Sequence, residues 1–297
     1  MPVRDWLAAL AVISAWGINF VVIKVGLHEI PPLLLGGLRF GLVAFPAVFF
    51  IKRPLLAWRS LLLYALTLSF GQFVFLFTAI YVGMPAGLAS LVLQSQAFFT
   101  VLIAALFLGE RVRWPNVLGI VVAVLGLVLI EQGALPGSVS VLGFILTLCA
   151  ALSWACGNIV VKRIGKVDML GLVVWAALIP PIPFFVLSWV IEGPARIRHS
   201  LLSISAVGVA SVIYLALVAT IVGYVLWGRL LGRHPVSKIA PLSLLIPVIG
   251  LVSSWLLLGE HLSLIQWVGG AVVMLGLALN VFGLQFAQKI FSGKARN

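Results

Sequence analysis

The sequence is poor in charge. Charged residues make up 9% of its 297 positions, against about a quarter in an ordinary soluble domain. Acids are the scarcest class, seven Asp and Glu against nineteen Lys and Arg, for a net charge of +12. Cysteine is almost absent: Cys149 and Cys156 lie in one apolar run. On a helix their separation is about 10 Å along the axis, too far for a disulfide. No His or acid lies close enough in sequence to complete a metal site, so neither a metal nor a cofactor is expected. The basic residues come in ones to threes between apolar stretches. Nucleic-acid binding needs them gathered on one face or in one run, so no nucleic-acid partner is expected.

What the chain has in abundance is apolar sequence: 63% hydrophobic residues and a mean hydropathy of +1.25. Crossing the hydrocarbon core takes about 20 apolar residues in a helix. Ten stretches qualify: Trp6–Val25, Pro32–Ile51, Leu61–Val82, Ala86–Leu108, Val117–Ile130, Val141–Val161, Leu170–Ile191, Ala206–Trp227, Ile239–Leu258 and Leu264–Phe286. The runs are continuous and long, whereas a membrane strand would alternate apolar and polar over about ten residues. The fold class is therefore an all-α membrane protein of ten transmembrane helices. The connections leave no room for a soluble domain, and the longest, 192–205, has space for a small surface helix. Lys and Arg favour the cytoplasmic side of a membrane. With both termini cytoplasmic, fifteen of the nineteen fall inside, and Lys24, Arg196 and Arg198 fall outside. Arg39 lies within a helix.

The chain is also self-similar. At an offset of 138 residues Trp16 falls on Trp154 and Lys24 on Lys162. At an offset of 150, Gly109-Glu110 falls on Gly259-Glu260, Gly119 on Gly269, and Leu125-Gly126-Leu127 on Leu275-Gly276-Leu277. The growth in offset places an insertion in the second unit, after Glu192. The units are read as residues 1–137 and 138–297, five helices each. An odd number of crossings makes the second enter the membrane upside down. Inverted repeats of this kind recur in secondary transporters, where they offer two similar conformations open to opposite sides.

Several of these residues form a recognisable pattern. Ser14-Ala15-Trp16-Gly17 with Asn19 and Lys24, then Ala79-Ile80-Tyr81, Ala86-Gly87-Leu88-Ala89-Ser90 and Gly109-Glu110-Arg111, resemble the EamA group of the drug/metabolite transporter superfamily. Trp154 and Leu258-Gly259-Glu260 repeat the pattern in the second unit. Asn19–Leu27, Pro31-Pro32, Gly37-Leu38-Arg39-Phe40 and Met84–Leu93 are most similar to the bacterial O-acetylserine/cysteine exporters. The resemblance covers nearly the whole chain. It implies a multi-pass carrier of the inner membrane that exports cysteine, O-acetylserine or other amino acids, with the lipid bilayer and a small-molecule substrate as its partners and no required oligomer.

Polar groups inside the hydrocarbon are costly and often functional. Arg39, about 10 Å into the second helix, either faces a wet cavity and attracts a substrate carboxylate or snorkels outward to pair with Glu29. Lys24 reads as an interface anchor. Asn19, Gln72, Gln94 and Asn158 lie within spans. An amide both donates and accepts, which suits a zwitterion, although helix–helix hydrogen bonding is the alternative role. Gln94 and Gln96 are two residues apart, so at most one is expected to face the cavity centre. Trp16 and Trp154, as symmetry equivalents, flank a central cavity or pack in the core. The predicted substrate-binding set is thus Trp16, Asn19, Arg39, Gln72, Gln94, Trp154 and Asn158. Trp6, Trp58, Trp114, Trp189, Trp227 and Trp267 lie near span ends and read as interface anchors. Tyr81, Tyr214 and Tyr224 are weaker candidates for the cavity.

All seven acids and all four His lie at span ends or in connections. The spans therefore hold no catalytic set, and a proton-driven pump for cationic drugs lacks its buried acid. Alternating-access export of small polar metabolites is the function this pattern favours. Multidrug efflux and a membrane receptor or scaffold are the other readings.

Overall fold

The computed structural model describes residues 1–134 and 139–294. The predicted junction between the two units, at 137/138, lies outside the described residues, as does Arg296. Ten helices are long and apolar enough to cross a membrane: α1 Val3–Leu27, α2 Pro32–Phe49, α3 Trp58–Tyr81, α4 Ala86–Leu108, α5 Trp114–Gln132, α6 Val141–Ile164, α7 Met169–Glu192, α8 Ala206–Arg233, α9 Pro241–Leu258 and α10 Leu264–Gly283. No strand occurs among the described residues. A short surface helix, Pro194–Ser203, fills the connection where the second unit is longer.

The duplication is visible in local geometry. α4 and α9 each end on a glycine with left-handed backbone, Gly109 at φ 65° and Gly259 at φ 64°. Only glycine adopts this conformation without steric cost, and it lets the chain turn sharply off the helix. The next residue is a glutamate in both, and its N–H returns to the helix, Glu110 to the Ala104 carbonyl and Glu260 to the Ser254 carbonyl. Helix irregularities repeat too. π-helical segments interrupt α3 at Ala65–Gly71 and α8 at Tyr214–Val222. Tight 3₁₀ turns interrupt α4 at Leu93–Ser95 and precede the regular part of α9 at Ala240–Leu244. Such departures free backbone groups and re-aim side chains, and they occur often at functional sites. α1 packs between α8 and α9, as its counterpart α6 packs between α3 and α4.

α5 and α10 form the closest helix pair, along a seam of glycines. A methyl on Gly119 would lie 2.7 Å from the Gly276 carbonyl oxygen, and one on Gly126 2.7 Å from that of Gly269. In lipid, where water does not drive helices together, such close backbone approach supplies dispersion contact. Replacing Gly276 by alanine sets a methyl 2.6 Å from the Gly119 oxygen, where only backbone movement makes room. Overpacking of this kind costs about 1–3 kcal/mol. The variant is expected to melt several degrees below wild type in detergent, whereas Gly232→Ala, with nothing within 4 Å of the new methyl, stays close to it.

The surface helix is fastened through Glu29, in the α1–α2 connection. Its Oε1 accepts from Ser205 Oγ at 2.6 Å and its Oε2 from Ser205 N–H at 2.8 Å, while Ser200 Oγ donates to its carbonyl at 2.7 Å. Glu29 is thus engaged by Ser205, and of the two readings of Arg39 the pairing with Glu29 does not occur. The Ser205 hydroxyl, then its N–H, holds the Glu29 carboxyl below its ordinary value of 4.5. A depressed carboxylate stabilises the fold above the ordinary value and loses that contribution as the pH falls through the lowered one. The melting temperature is expected to fall on acidification below about pH 4. Glu29→Gln removes that part of the fall.

Candidate functional site

A cavity of about 460 Å³ lies at mid-depth between the two units. All seven predicted residues line it: Trp16 and Asn19 from α1, Arg39 from α2, Gln72 from α3, Gln94 from α4, and Trp154 and Asn158 from α6. Gln72 follows the π-helical segment of α3, Gln94 sits in the 3₁₀ turn of α4, and Ala219 lines the cavity from the π-helical segment of α8. The repeated irregularities therefore ring the site.

Arg39 is 4% exposed and does not snorkel. Its Nη2 donates to Thr220 Oγ1 at 3.0 Å. Its guanidinium carbon lies 4.0 Å from the centroid of the Phe73 ring, with the Phe40 and Phe77 rings at 5.5 and 6.0 Å. Ring faces attract the cation, but Nε and Nη1 have no hydrogen-bond partner, and Arg39 forms no ion pair. Leaving a buried charge unmatched is costly. Among the described residues, Arg39 is therefore a buried cation without a matching anion. Both nitrogens are shielded from water.

The amides divide by occupation. Asn158 Nδ2 donates to Gln96 Oε1 at 2.7 Å and to Thr100 Oγ1 at 3.1 Å, which ties α6 to α4 across the cavity wall. Asn19 Oδ1 and Gln72 Oε1 have no partner. Gln94 and Gln96 both line the cavity, contrary to the expectation that one would turn away. The 3₁₀ turn at Leu93–Ser95 breaks the helical phase between them.

Trp16 Nε1 donates to the Ala219 carbonyl at 2.8 Å, and its ring lies 5.7 Å from Tyr224 and 5.3 Å from Trp227. Trp227, at the end of its apolar run, reads from sequence as an interface anchor. α8 continues to Arg233, which places Trp227 over the cavity instead. Tyr64 and Phe73 also line the cavity and went unnoticed in the sequence, since an aromatic in an apolar run looks like core. Their nearest signal is sequence position, beside the break in α3. Trp175 is turned away, with its Nε1 donating to the Ile51 carbonyl at 2.9 Å.

The two ends of the bundle differ. At one end Glu260 Oε1 accepts from Lys24 Nζ at 2.7 Å and from Ala86 N–H at 2.8 Å, and its Oε2 accepts from Gly87 N–H at 2.9 Å. One carboxylate thus joins α1, the start of α4 and the corner after α9. A carboxylate at a helix N-terminus is favoured by the helix dipole. Lys24 is accordingly held in an ion pair; it is not a free interface anchor. At the other end the equivalent pair, Lys162 and Glu110, also meets. Its side chains are 51% and 44% exposed, against 31% and 10% for Lys24 and Glu260. The cavity wall runs toward this looser end, through Val161, Met169 and Leu231. There Asp5 at the start of α1 holds Arg233 and His234 at the end of α8.

Two like halves, a mid-depth cavity with an unmatched cation, one sealed end and one looser end define the protein as a membrane carrier. Comparison with known proteins makes this specific. The EamA-like transporter family matches twice, at residues 5–132 and 141–282, and the chain belongs to that family. Its members are transporters, not enzymes. The chain is 53% identical to the "Probable amino-acid metabolite efflux pump" of Escherichia coli (strain K12), over 99% of this chain and 100% of that one. The protein of the same name from Salmonella typhimurium is 52% identical over 96% of this chain and 97% of its own. A "Probable terminal-alkyne amino-acid exporter" of Streptantibioticus cattleyicolor is 27% identical over 92% of each. A solved crystal structure, 19% identical, superposes with a TM-score of 0.64 over 98% of this chain and 99% of that one, which shows the shared fold.

Proposed function

We propose that the protein exports small amino-acid-like metabolites, cysteine and O-acetylserine among them, across the inner membrane by alternating access. The observation that carries this reading is Arg39, buried, unpaired and lining the central cavity. A substrate carboxylate supplies the missing anion. Asn19, Gln72 and Gln94 contact the polar remainder, and Trp16 and Trp154 bound it. Asn158 sets the wall through Gln96. The high identity to amino-acid metabolite efflux pumps over the full length supports this substrate class.

In this reading the units 1–137 and 138–297 alternate between two sealed states, and both termini are cytoplasmic. The Lys24–Glu260 seal then closes the outer side while the cavity faces the cytoplasm. No acid or His lines the cavity to relay a proton, so substrate moves down its own gradient. Multidrug efflux is disfavoured because a fixed buried cation repels lipophilic cations.

The test is counterflow in proteoliposomes holding the purified protein, with labelled cysteine, O-acetylserine and a wider amino-acid panel. Saturable exchange of at least one member, insensitive to an imposed pH gradient, is expected. No exchange of any would overturn the substrate class and favour a receptor or scaffold. Strong uphill flux under a pH gradient would overturn the uncoupled mechanism.

A further inference from the structure

The cavity contains one charge, and it is positive. None of the chain's seven acids lines it, and six are engaged elsewhere. Asp5 holds Arg233 and His234, Glu29 holds Ser205, and Glu110 holds Lys162. Asp168 caps the first turn of α7 through Leu170 and Gly171 N–H. Glu192 accepts from Leu33 and Leu34 N–H, and Glu260 from Lys24, Ala86 and Gly87. The seventh, Glu131, is exposed near the end of α5. On residues lining the cavity, the carbonyl oxygens of Asn19 and Gln72 are buried without a hydrogen-bond partner, and both are neutral.

This accounting distinguishes two kinds of amino-acid-like cargo. A zwitterion brings a carboxylate for Arg39, but its ammonium then meets only neutral groups: amides, hydroxyls and ring faces. Its charge is repelled by the same Arg39, in surroundings that screen poorly. The occupied site keeps a net charge of +1. An amino acid whose nitrogen is acylated brings the same carboxylate with a neutral N–H. That N–H suits an amide oxygen acceptor, and the occupied site sums to zero.

We propose that the preferred cargo is a monoanion, a carboxylate whose nitrogen is uncharged, with N-acylated amino acids the representative class and the parent zwitterions the weaker substrates. The proposal rests on the cavity being the transport site and sharpens what that site selects.

The test is competition against counterflow of labelled cysteine or O-acetylserine, using serine, N-acetylserine, serine methyl ester and N-acetylserine amide. These span zwitterion, monoanion, cation and neutral forms of one small side chain. N-acetylserine is expected to inhibit at a roughly tenfold lower concentration than serine, a single factor of ten in affinity, with the ester and the neutral amide ineffective. Asn19→Asp places a carboxylate in the cavity and is expected to reverse the order of serine and N-acetylserine. Equal or better inhibition by serine in the wild type overturns the monoanion preference while leaving the transport reading intact. An unchanged order in Asn19→Asp overturns the charge argument. Absence of any counterflow, together with no melting shift of the purified protein by N-acetylserine, overturns both readings.

Discussion

Replacing Arg39 by glutamine is expected to lower counterflow roughly 10- to 100-fold. A hydrogen bond to a charged group contributes about 1.5–3 kcal/mol, and 1.4 kcal/mol is a factor of ten in affinity. Arg39 has two unpartnered nitrogens to offer a carboxylate, so the upper part of this range is the expected one. Lysine in its place keeps the charge and loses the planar fork, so Arg39→Lys retains a fraction of the activity. Stability separates this from a structural role. A guanidinium buried without an ion pair costs folding free energy, so Arg39→Gln is expected to melt at or above the wild-type temperature in detergent. A variant that lost flux and also melted many degrees lower would identify Arg39 as a packing residue held by Phe73 and Thr220.

The second large effect is at the sealed end. Glu260→Gln is expected to cost the closed state about 2 kcal/mol, within the range for charge-assisted hydrogen bonds. It removes the charge that meets Lys24, Ala86 N–H and Gly87 N–H together. Its symmetry equivalent Glu110→Gln is expected to cost under about 1 kcal/mol, because exposed pairs contribute little. Accessibility reads the difference. With Cys149 and Cys156 replaced by alanine, a cysteine introduced at Ser254, which is 1% exposed and packs beside Gly87, reports opening of the seal. Maleimide labelling at this position should accelerate roughly tenfold or more in Glu260→Gln and change little in Glu110→Gln. Equal labelling of the two variants would show that the Glu260 cluster is not the closure.

Much of this architecture was legible in the sequence because a bilayer enforces it. A spanning helix must be apolar over its length, so hydropathy located all ten. The Gly-Glu repeat carried the helix ends, since a left-handed turn selects glycine. Gly119 and Gly126, already paired by the repeat with the second half, meet Gly276 and Gly269 where α5 and α10 touch. The cavity set was legible for a related reason: Arg39, Gln72 and Asn19 are expensive in hydrocarbon and stand out against it. Phe73, Tyr64 and Trp227 are compatible with both core and cavity, and only three-dimensional placement separates the two. Gln96 and Lys24 escaped for a different reason. Gln96 was placed by ideal helical phase, which the 3₁₀ turn breaks. Lys24 was placed by depth, but its partner Glu260 is more than 230 positions away in the chain.

The duplicated frame carries a feature that only one half has. At the offset that sets Trp16 on Trp154, position 39 falls on Ala177. The two halves therefore share their helix breaks and end turns, and the charge that lines the cavity comes from the first of them alone. Division of labour of this kind lets the framework stay constant while recognition drifts. The second half still shapes the wall, through Trp154, Tyr224 and Trp227. A chimera that joins this first half to the second half of a relative is accordingly expected to keep the charge preference of the N-terminal parent, while the size it admits follows both.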